Sequence, residues 1–400
     1  MIDKKIRFKR DCMGCHGCMN ICPEKCISME SDKEGFLYPK VDYDVCINCK
    51  KCVNICPMIS KIKEDNKPLA YACINKNEKI RLESSSGGVF TLVAEHVLDS
   101  GGIVFGACFD YKFELEHKWV KTKEHLSKLR GSKYLQSKIG SSYSHAKHLL
   151  DLGLYVLFSG TPCQIAGLKS FLGWKKYDNL VTIDIICHGV PSPKVWGKYV
   201  KFREREANSS TQRIFFRRKD EGWKRYSVSF LFKNDTEYRK TLNEDLYMKA
   251  FLQDVCLRPS CYDCEFKGLN RHSDITLADF WGIENILPEM DDDKGISLIF
   301  VNSKAGEALI EKIAEKMLFK QVDINEAVKY NLAAIKSAAP NPNREKFFKE
   351  LDKLAFDKLV KKYCSDNLSV RVKKRIKVLT KTVLTKLGLL DFIKRNVTIK

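Results

Sequence analysis

The sequence contains no apolar run long enough to cross a membrane. Its longest stretch without a charged residue is residues 152–168, which Gly153, Gly160 and Pro162 interrupt. A membrane-spanning helix needs about 20 predominantly apolar residues. The chain also opens on a charged stretch, residues 1–10, rather than on a secretory signal. We therefore expect a cytoplasmic protein that is either soluble or peripherally attached to the inner face of the membrane.

The sequence also lacks the patterns of nucleic-acid-binding modules, although its formal net charge is +20. It has no zinc-finger, RNA-recognition or helix-turn-helix pattern. Much of the excess charge lies in residues 371–400, which hold ten Lys or Arg and one acid, Asp391. We therefore expect no nucleic-acid partner.

The same tail has a helical pattern of apolar residues, at Val372, Ile376, Leu379, Val383, Leu387 and Leu390. Spacings of three and four residues predict one apolar face of a helix. A basic amphipathic helix of this kind can make a peripheral contact with an anionic membrane surface. It can equally pack on its own protein, and the sequence favours neither.

Cysteine, by contrast, is abundant: the chain has 17, of which nine lie in the first 57 residues. Eight of these form two C-x₂-C-x₂-C-x₃-C-P runs, at Cys12, Cys15, Cys18 and Cys22 and at Cys46, Cys49, Cys52 and Cys56. Bacterial ferredoxins hold two [4Fe–4S] clusters with this spacing, and the fourth cysteine of each run binds the other cluster. The rule therefore predicts one cluster on Cys12, Cys15, Cys18 and Cys56, and a second on Cys46, Cys49, Cys52 and Cys22.

Structural zinc and disulfide bonds are the alternatives for these cysteines. Zinc sites usually show two C-x₂-C pairs without the third cysteine and the C-P stop. Disulfides belong to oxidising compartments, whereas we expect this chain in the reducing cytoplasm. The ninth cysteine, Cys26, has no place in the pattern and is predicted to be a small core residue.

The rest of the chain predicts a multidomain protein of the α/β and α+β classes. Apolar strands at 69–74, 103–109, 154–158 and 180–186 enclose helices at 88–98 and 141–152, which predicts a mainly parallel sheet covered on both faces. After residue 210 come strands at 213–218 and 226–232 and helices at 244–253 and 304–317. The predicted domains are a ferredoxin-like module, a mainly parallel α/β domain, a smaller C-terminal domain and a basic helical tail, at residues 1–60, 69–210, 211–340 and 341–400.

A second set of cysteines follows the predicted strands. Cys163 and Cys187 each come just after a strand, and such turns gather at the carboxyl edge of a parallel sheet, where ligands bind. Cys261 and Cys264 form a C-x₂-C pair further on. These four thiols predict a third cluster site, with Cys256 as a competing ligand. The alternative is that they are buried, inert thiols.

A serine-glycine turn, consisting of Ser84, Ser85, Ser86, Gly87 and Gly88, precedes the predicted helix at 88–98. Free N–H groups and hydroxyls at a helix N-terminus can bind a phosphate. The alternative is an ordinary serine cap. A second loop of small residues adds candidate cofactor contacts at Arg130, Ser132 and Lys133, for which a solvated charge pair is the alternative.

These segments together resemble the beta-subunit family of coenzyme F-420 hydrogenases and dehydrogenases. The resemblance rests on the two ferredoxin runs and on residues 83–91, 130–134, 158–168, 186–193 and 258–264, in that order. It implies FAD in the central domain beside a [4Fe–4S] cluster, with Cys163, Cys187, Cys261 and Cys264 as its ligands. It further implies that the serine-glycine turn contacts a phosphate of the flavin or coenzyme, and that the flavin exchanges a hydride with coenzyme F-420.

The expected activity is that of an iron–sulfur flavoprotein oxidoreductase. No catalytic side chain is required, because a flavin itself converts between hydride and single-electron transfer. The expected partners are coenzyme F-420 or another small redox carrier, and an electron-transfer protein or a hydrogenase or dehydrogenase subunit. Two other functions stay open: a reductase in surface polysaccharide synthesis, and an electron-transfer subunit without flavin.

Overall fold

The computed structural model describes residues 1–365, so the predicted basic helix in residues 371–400 lies outside the described part of the chain. Within residues 1–365, no helix combines the length and the apolar character that a bilayer crossing requires.

The described residues contain thirteen β-strands and fourteen α-helices. Strands β1 to β13 are Ile27–Ser31, Leu37–Val41, Leu69–Asn75, Ile103–Phe109, Leu115–Val120, Val156–Ser159, Leu180–Ile185, Thr211–Arg218, Ser227–Phe232, Glu237–Thr241, Ile275–Asp279, Ser297–Val301 and Met317–Val322. Helices α1 to α14 are Ile2–Lys5, Gly17–Ile21, Lys51–Asn54, Glu78–Glu83, Val89–Asp99, Ser142–Asp151, Pro162–Phe171, Pro193–Ala207, Leu246–Leu252, Ile283–Ile286, Lys304–Ile313, Ile324–Lys329, Arg344–Glu350 and Phe356–Tyr363.

The largest layer is an eight-stranded sheet in the order β13-β3-β12-β11-β7-β6-β4-β5. The neighbours among β4, β6, β7 and β11 are parallel, and the outer pairs on both sides are antiparallel. The sheet is therefore mixed. Of the predicted parallel strands, β4, β6 and β7 lie at its parallel centre, whereas β3 lies near one edge and pairs antiparallel with both neighbours. The predicted strands that became β3, β4, β6 and β7 are confirmed to within two residues at each end.

Helices cover both faces of this sheet because its central strands are apolar on both sides. Val104 and Leu157 pack in the same core as α5 and α11. Their neighbours Phe105 and Phe158 point to the other face, where they stack at 5.3 Å and pack with α6 and α7. The continuous apolar strands seen in the sequence thus correspond to a doubly covered sheet.

A three-stranded antiparallel sheet, β10-β9-β8, is inserted between β7 and β11 together with α8 and α9. Its aromatic core includes Trp196, Phe230 and Tyr247, and α13 and α14 add Phe347 and Phe356 to the same core. The segment after residue 210 therefore supplies strands to both sheets. The part of residues 341–400 that the structure describes packs on the smaller one.

The N-terminal module docks on the main sheet through a close approach of α2 to α7. Gly17 and Gly167 face each other there, since a Cβ built on Gly17 would lie 3.8 Å from the Gly167 carbonyl oxygen. The hydroxyl of Ser170 donates to the Ile55 carbonyl at 2.6 Å. A bidentate pair between Arg344 and Glu34 ties the same module to α13.

This contact predicts that Gly167→Ala destabilises the protein. The new Cβ would lie 2.8 Å from both the Cys15 Cβ and the Tyr143 hydroxyl. Overpacking of this kind lowers the free energy of unfolding by about 1–3 kcal/mol. The matched control is Gly197→Ala in α8, where a Cβ meets no atom within 4 Å. There we expect no loss, or a gain of up to about 1 kcal/mol from helix propensity. The free energy of unfolding is measured by anaerobic denaturant titration. Equal values for the two variants would contradict the predicted role of Gly167 in this contact.

Candidate functional site

The structure brings the first predicted set of thiols, Cys12, Cys15, Cys18 and Cys56, around one cavity of about 270 Å³. The first three lie on the loop and first residues of α2, and the fourth follows α3. Burial and the neighbouring thiols of Cys56 and Cys12 raise the pKa of Cys15 to about 12. Four such thiols become thiolates together only when a cation offsets their charge.

The second set, Cys22, Cys46, Cys49 and Cys52, lines a smaller cavity of about 10 Å³. Cys26 lines it too, with its Sγ 3.3 Å from the Sγ of Cys22. It is also buried against Ile2 and Ile27 in the core of the module, so it has the position expected of a core residue. Cys49 is the one exposed cysteine of the 17, all of which lie in the described residues.

The third set is assembled by the parallel pairing of β6 and β7. Cys163 lies in the first turn of α7, directly after β6, and Cys187 follows β7. A bridge between Pro191 and Leu257 brings the Cys261 segment to the same place. The Val190 N–H then points at the Cys261 Sγ at 3.4 Å.

All four thiols of this set line a cavity of about 30 Å³: Cys163, Cys187, Cys261 and Cys264. Burial raises the pKa of Cys187 to about 11 and that of Cys261 to about 12. Burial and the thiols of Cys264, Cys187 and Cys261 raise the pKa of Cys163 as well. Cys256 is fully buried in the core of the smaller sheet, and it does not line the cavity.

The donor chemistry of the three sets fits [4Fe–4S] clusters, which take four cysteine thiolates each. Among residues 1–365, no group of three or more His, Cys, Asp or Glu side chains is arranged so that it could hold a single metal ion.

A separate, larger cavity of about 1180 Å³ receives some of the predicted flavin contacts: Ser85, Arg130, Ser132 and Lys133. The Ser85 Oγ accepts from the Ser132 N–H at 2.6 Å, which joins the two predicted loops. The Nζ of Lys133 donates to three carbonyl oxygens of its own loop, and burial lowers its pKa to about 8.

The remaining predicted flavin contacts, Ser84, Ser86, Gly87 and Gly88, lie away from the lining of this cavity. The hydroxyls of Ser84 and Ser86 donate to carbonyl oxygens of α4 and of the residue before β12. The Gly87 N–H donates to the Ser297 Oγ at 3.0 Å. These groups are already used to hold the turn in place. The serine cap that the sequence left open is not formed either, because the N-cap residue of α5 is Gly88 and no side chain caps this helix.

The contribution of β8 to this cavity was not predicted from the sequence. Phe215, Phe216 and Arg217 line it, and eight Lys or Arg face three Asp or Glu around its wall. Arg217 is buried and donates to the Tyr134 hydroxyl at 3.0 Å and to Asp279 at 2.8 Å. Its Nε has no partner among the described residues. The two aromatic and two basic residues at the end of β8 could have indicated a ligand-binding wall, but from the sequence this segment was predicted only as a strand.

Four packed rings connect the large cavity with the third cysteine cavity. Phe216 lines the large cavity, and its ring centroid lies 5.3 Å from that of Tyr134. Tyr134 stacks on Phe251 at 5.1 Å, and Phe251 contacts His188 edge to face at 5.3 Å. His188 in turn lines the cavity of Cys163 and Cys187.

Three family models match the chain. The 4Fe-4S dicluster domain matches residues 11–59. The models of the N-terminal and C-terminal parts of the coenzyme F-420 hydrogenase/dehydrogenase beta subunit match residues 70–142 and 154–327, which together are more than half of the chain. No curated protein matches.

Among solved structures, a chain of the F-420-reducing nickel–iron hydrogenase complex from Methanosarcina barkeri, in a xenon derivative, is similar at 18% identity and a TM-score of 0.44. The alignment covers 70% of this chain and 97% of that one.

We expect Cys163→Ser to lower the iron content by about four atoms per chain, the content of one [4Fe–4S] cluster. Iron and acid-labile sulfide in anaerobically reconstituted protein give the measurement. Cys256→Ala is the control, because that residue is buried outside the cavity and its loss should leave the iron content unchanged. An iron content equal to that of the wild type in Cys163→Ser would contradict the third site.

Proposed function

The chain belongs to the coenzyme F-420 hydrogenase/dehydrogenase beta-subunit family, and on that basis we propose that it passes electrons between a flavin and iron–sulfur clusters. The flavin partner would be coenzyme F-420 or a similar small redox carrier, and the cluster partner a second protein or subunit. One observation carries the proposal: a large aromatic and basic cavity is linked, through packed side chains, to three sets of four thiols.

The large cavity has the residues that a phosphate-bearing aromatic ligand such as FAD requires. Arg130, Arg213 and Lys233 line it with cationic groups suited to charge-assisted hydrogen bonds with phosphate oxygens. Tyr111 and Phe215 offer ring faces for stacking. When bound, the flavin supplies the conversion between hydride and single-electron transfer. The side chains around it bind and orient it.

The third and first thiol sets are neighbours, which supports a path into the ferredoxin module. Their cavities share three wall residues, Met13, Met58 and Glu265. Cys15 also touches the helix that carries Cys163, because α2 lies on α7. The first set therefore faces the main domain.

The second thiol set lies toward solvent and is the end of the path at which a protein partner would dock. Cys49 is exposed, and the apolar side chains of Val45 and Ile47 are exposed on the same loop. A redox partner can approach this set without moving the module from α7.

We expect the double variant Arg213→Glu, Lys233→Glu to lose flavin and keep its iron. Both residues are exposed in the cavity wall, so that folding should be little affected. Hydrogen bonds to charged groups contribute about 1.5–3 kcal/mol each, so flavin affinity should fall at least about tenfold. Flavin absorbance and iron content of the same anaerobic preparation give the measurement.

The matched control is Lys201→Glu, Arg205→Glu on α8, which makes the same change of net charge at exposed residues in a different groove. This control should keep both cofactors. Equal flavin content in both double variants would show that the flavin binds outside this cavity. If the wild-type protein contains no flavin, the alternative of an electron-transfer subunit without flavin would be favoured.

A further inference from the structure

Arg258 is a fully buried cation whose hydrogen-bond partners are all neutral. Its Nε donates to the Cys12 carbonyl at 2.8 Å, one Nη to the Gln136 side-chain oxygen and the other to the Leu37 carbonyl, both at 2.9 Å. Its guanidinium also lies 4.4 Å from the centre of the Tyr38 ring. A buried charge needs a counter-charge, and none of these groups supplies one.

Arg258 lies between two of the cysteine sets. Its side chain lines the cavity of the third set, and it bonds the backbone of Cys12 in the first set. The guanidinium is therefore within electrostatic reach of both cavities.

The first cysteine loop is shaped to accept this arginine. Gly14 adopts a left-handed φ of 71°, and a Cβ there would lie 2.8 Å from an Nη of Arg258 and 2.7 Å from Gln136. Only a glycine lets the loop approach so closely.

We propose that Arg258 is the shared counter-ion of the first and third clusters and raises the reduction potential of both. The inference rests on the proposed function for the third cluster and on the dicluster module for the first. Four thiolates make each cluster site anionic, and reduction adds one more negative charge. A buried cation at short range stabilises the reduced state more than the oxidised state.

The test is an anaerobic redox titration of reconstituted full-length protein, followed by electron paramagnetic resonance. In Arg258→Gln, the midpoint potentials of the first and third clusters should become more negative, and that of the second cluster should not change. Arg258→Lys keeps the charge and should restore both potentials toward those of the wild type. Signals absent from Cys163→Ser identify the third cluster.

Arg344→Gln is the control for a lost cation at the same module boundary. It removes the ion pair with Glu34 and the hydrogen bonds to the Leu257 carbonyl, but Arg344 lines none of the three thiol cavities, so all potentials should stay unchanged. Unchanged potentials in Arg258→Gln would overturn the proposal. If Arg258→Gln protein does not hold its clusters, the Arg258→Lys variant provides the test. Midpoint potentials equal to those of the wild type would support the role of Arg258 as counter-ion. Loss of the clusters, or a shift of their midpoint potentials, would overturn it.

If the wild-type protein holds only two clusters, the proposed third cluster site is wrong. The midpoint potential of the first cluster in Arg258→Gln still tests the role of Arg258.

Discussion

The close contact between the first cysteine loop and the middle of α7 is the constraint on which the rest of this structure depends. Gly167 lets Cys15 lie against α7, and Gly14 lets the loop close over Arg258. A side chain at either position would overlap Cys15 or Arg258 and push the ferredoxin module away from the sheet. The first and third thiol sets would then lose their common wall.

The topology of the large sheet explains why the third set forms at this place. β6 and β7 are parallel neighbours, so the turns that follow them deliver Cys163 and Cys187 to one edge. The chain then leaves the sheet to build the smaller one and returns beside Pro191 with Cys261 and Cys264. A cluster on these four thiols would tie the inserted domain to the main sheet, and its loss should affect folding as well as electron transfer.

Much of this arrangement could be predicted from the sequence where spacing carries the information. The fixed intervals of the ferredoxin runs are a local signal, and the structure groups Cys56 with Cys12 and Cys22 with Cys46. The apolar strands at the sheet centre were equally clear. The strands β5, β11, β12 and β13 were missed. β11, β12 and β13 pair with the distant strands β7 and β3, so no local pattern marks them, whereas β5 forms a short hairpin with β4 whose signal was overlooked.

The large cavity, where we propose that the flavin binds, was less predictable for a physical reason. Ser84 and Ser86 look like free phosphate ligands in the sequence, but carbonyl oxygens nearby already accept from their hydroxyls. Much of the cavity wall is instead formed by β8, a strand of the smaller sheet that lies next to this cavity only in the folded protein. Arg258 was visible only as the residue before a C-x₂-C segment, and its burial between two thiol sets is a property of the tertiary structure.

The central claim, that the first and third thiol sets hold adjacent clusters, is tested most directly by electron paramagnetic resonance of the fully reduced protein. The account predicts about three cluster spins per chain, with magnetic splitting that changes when Cys163 is replaced by serine. Two spins per chain, with a spectrum that the Cys163→Ser variant reproduces, would contradict it.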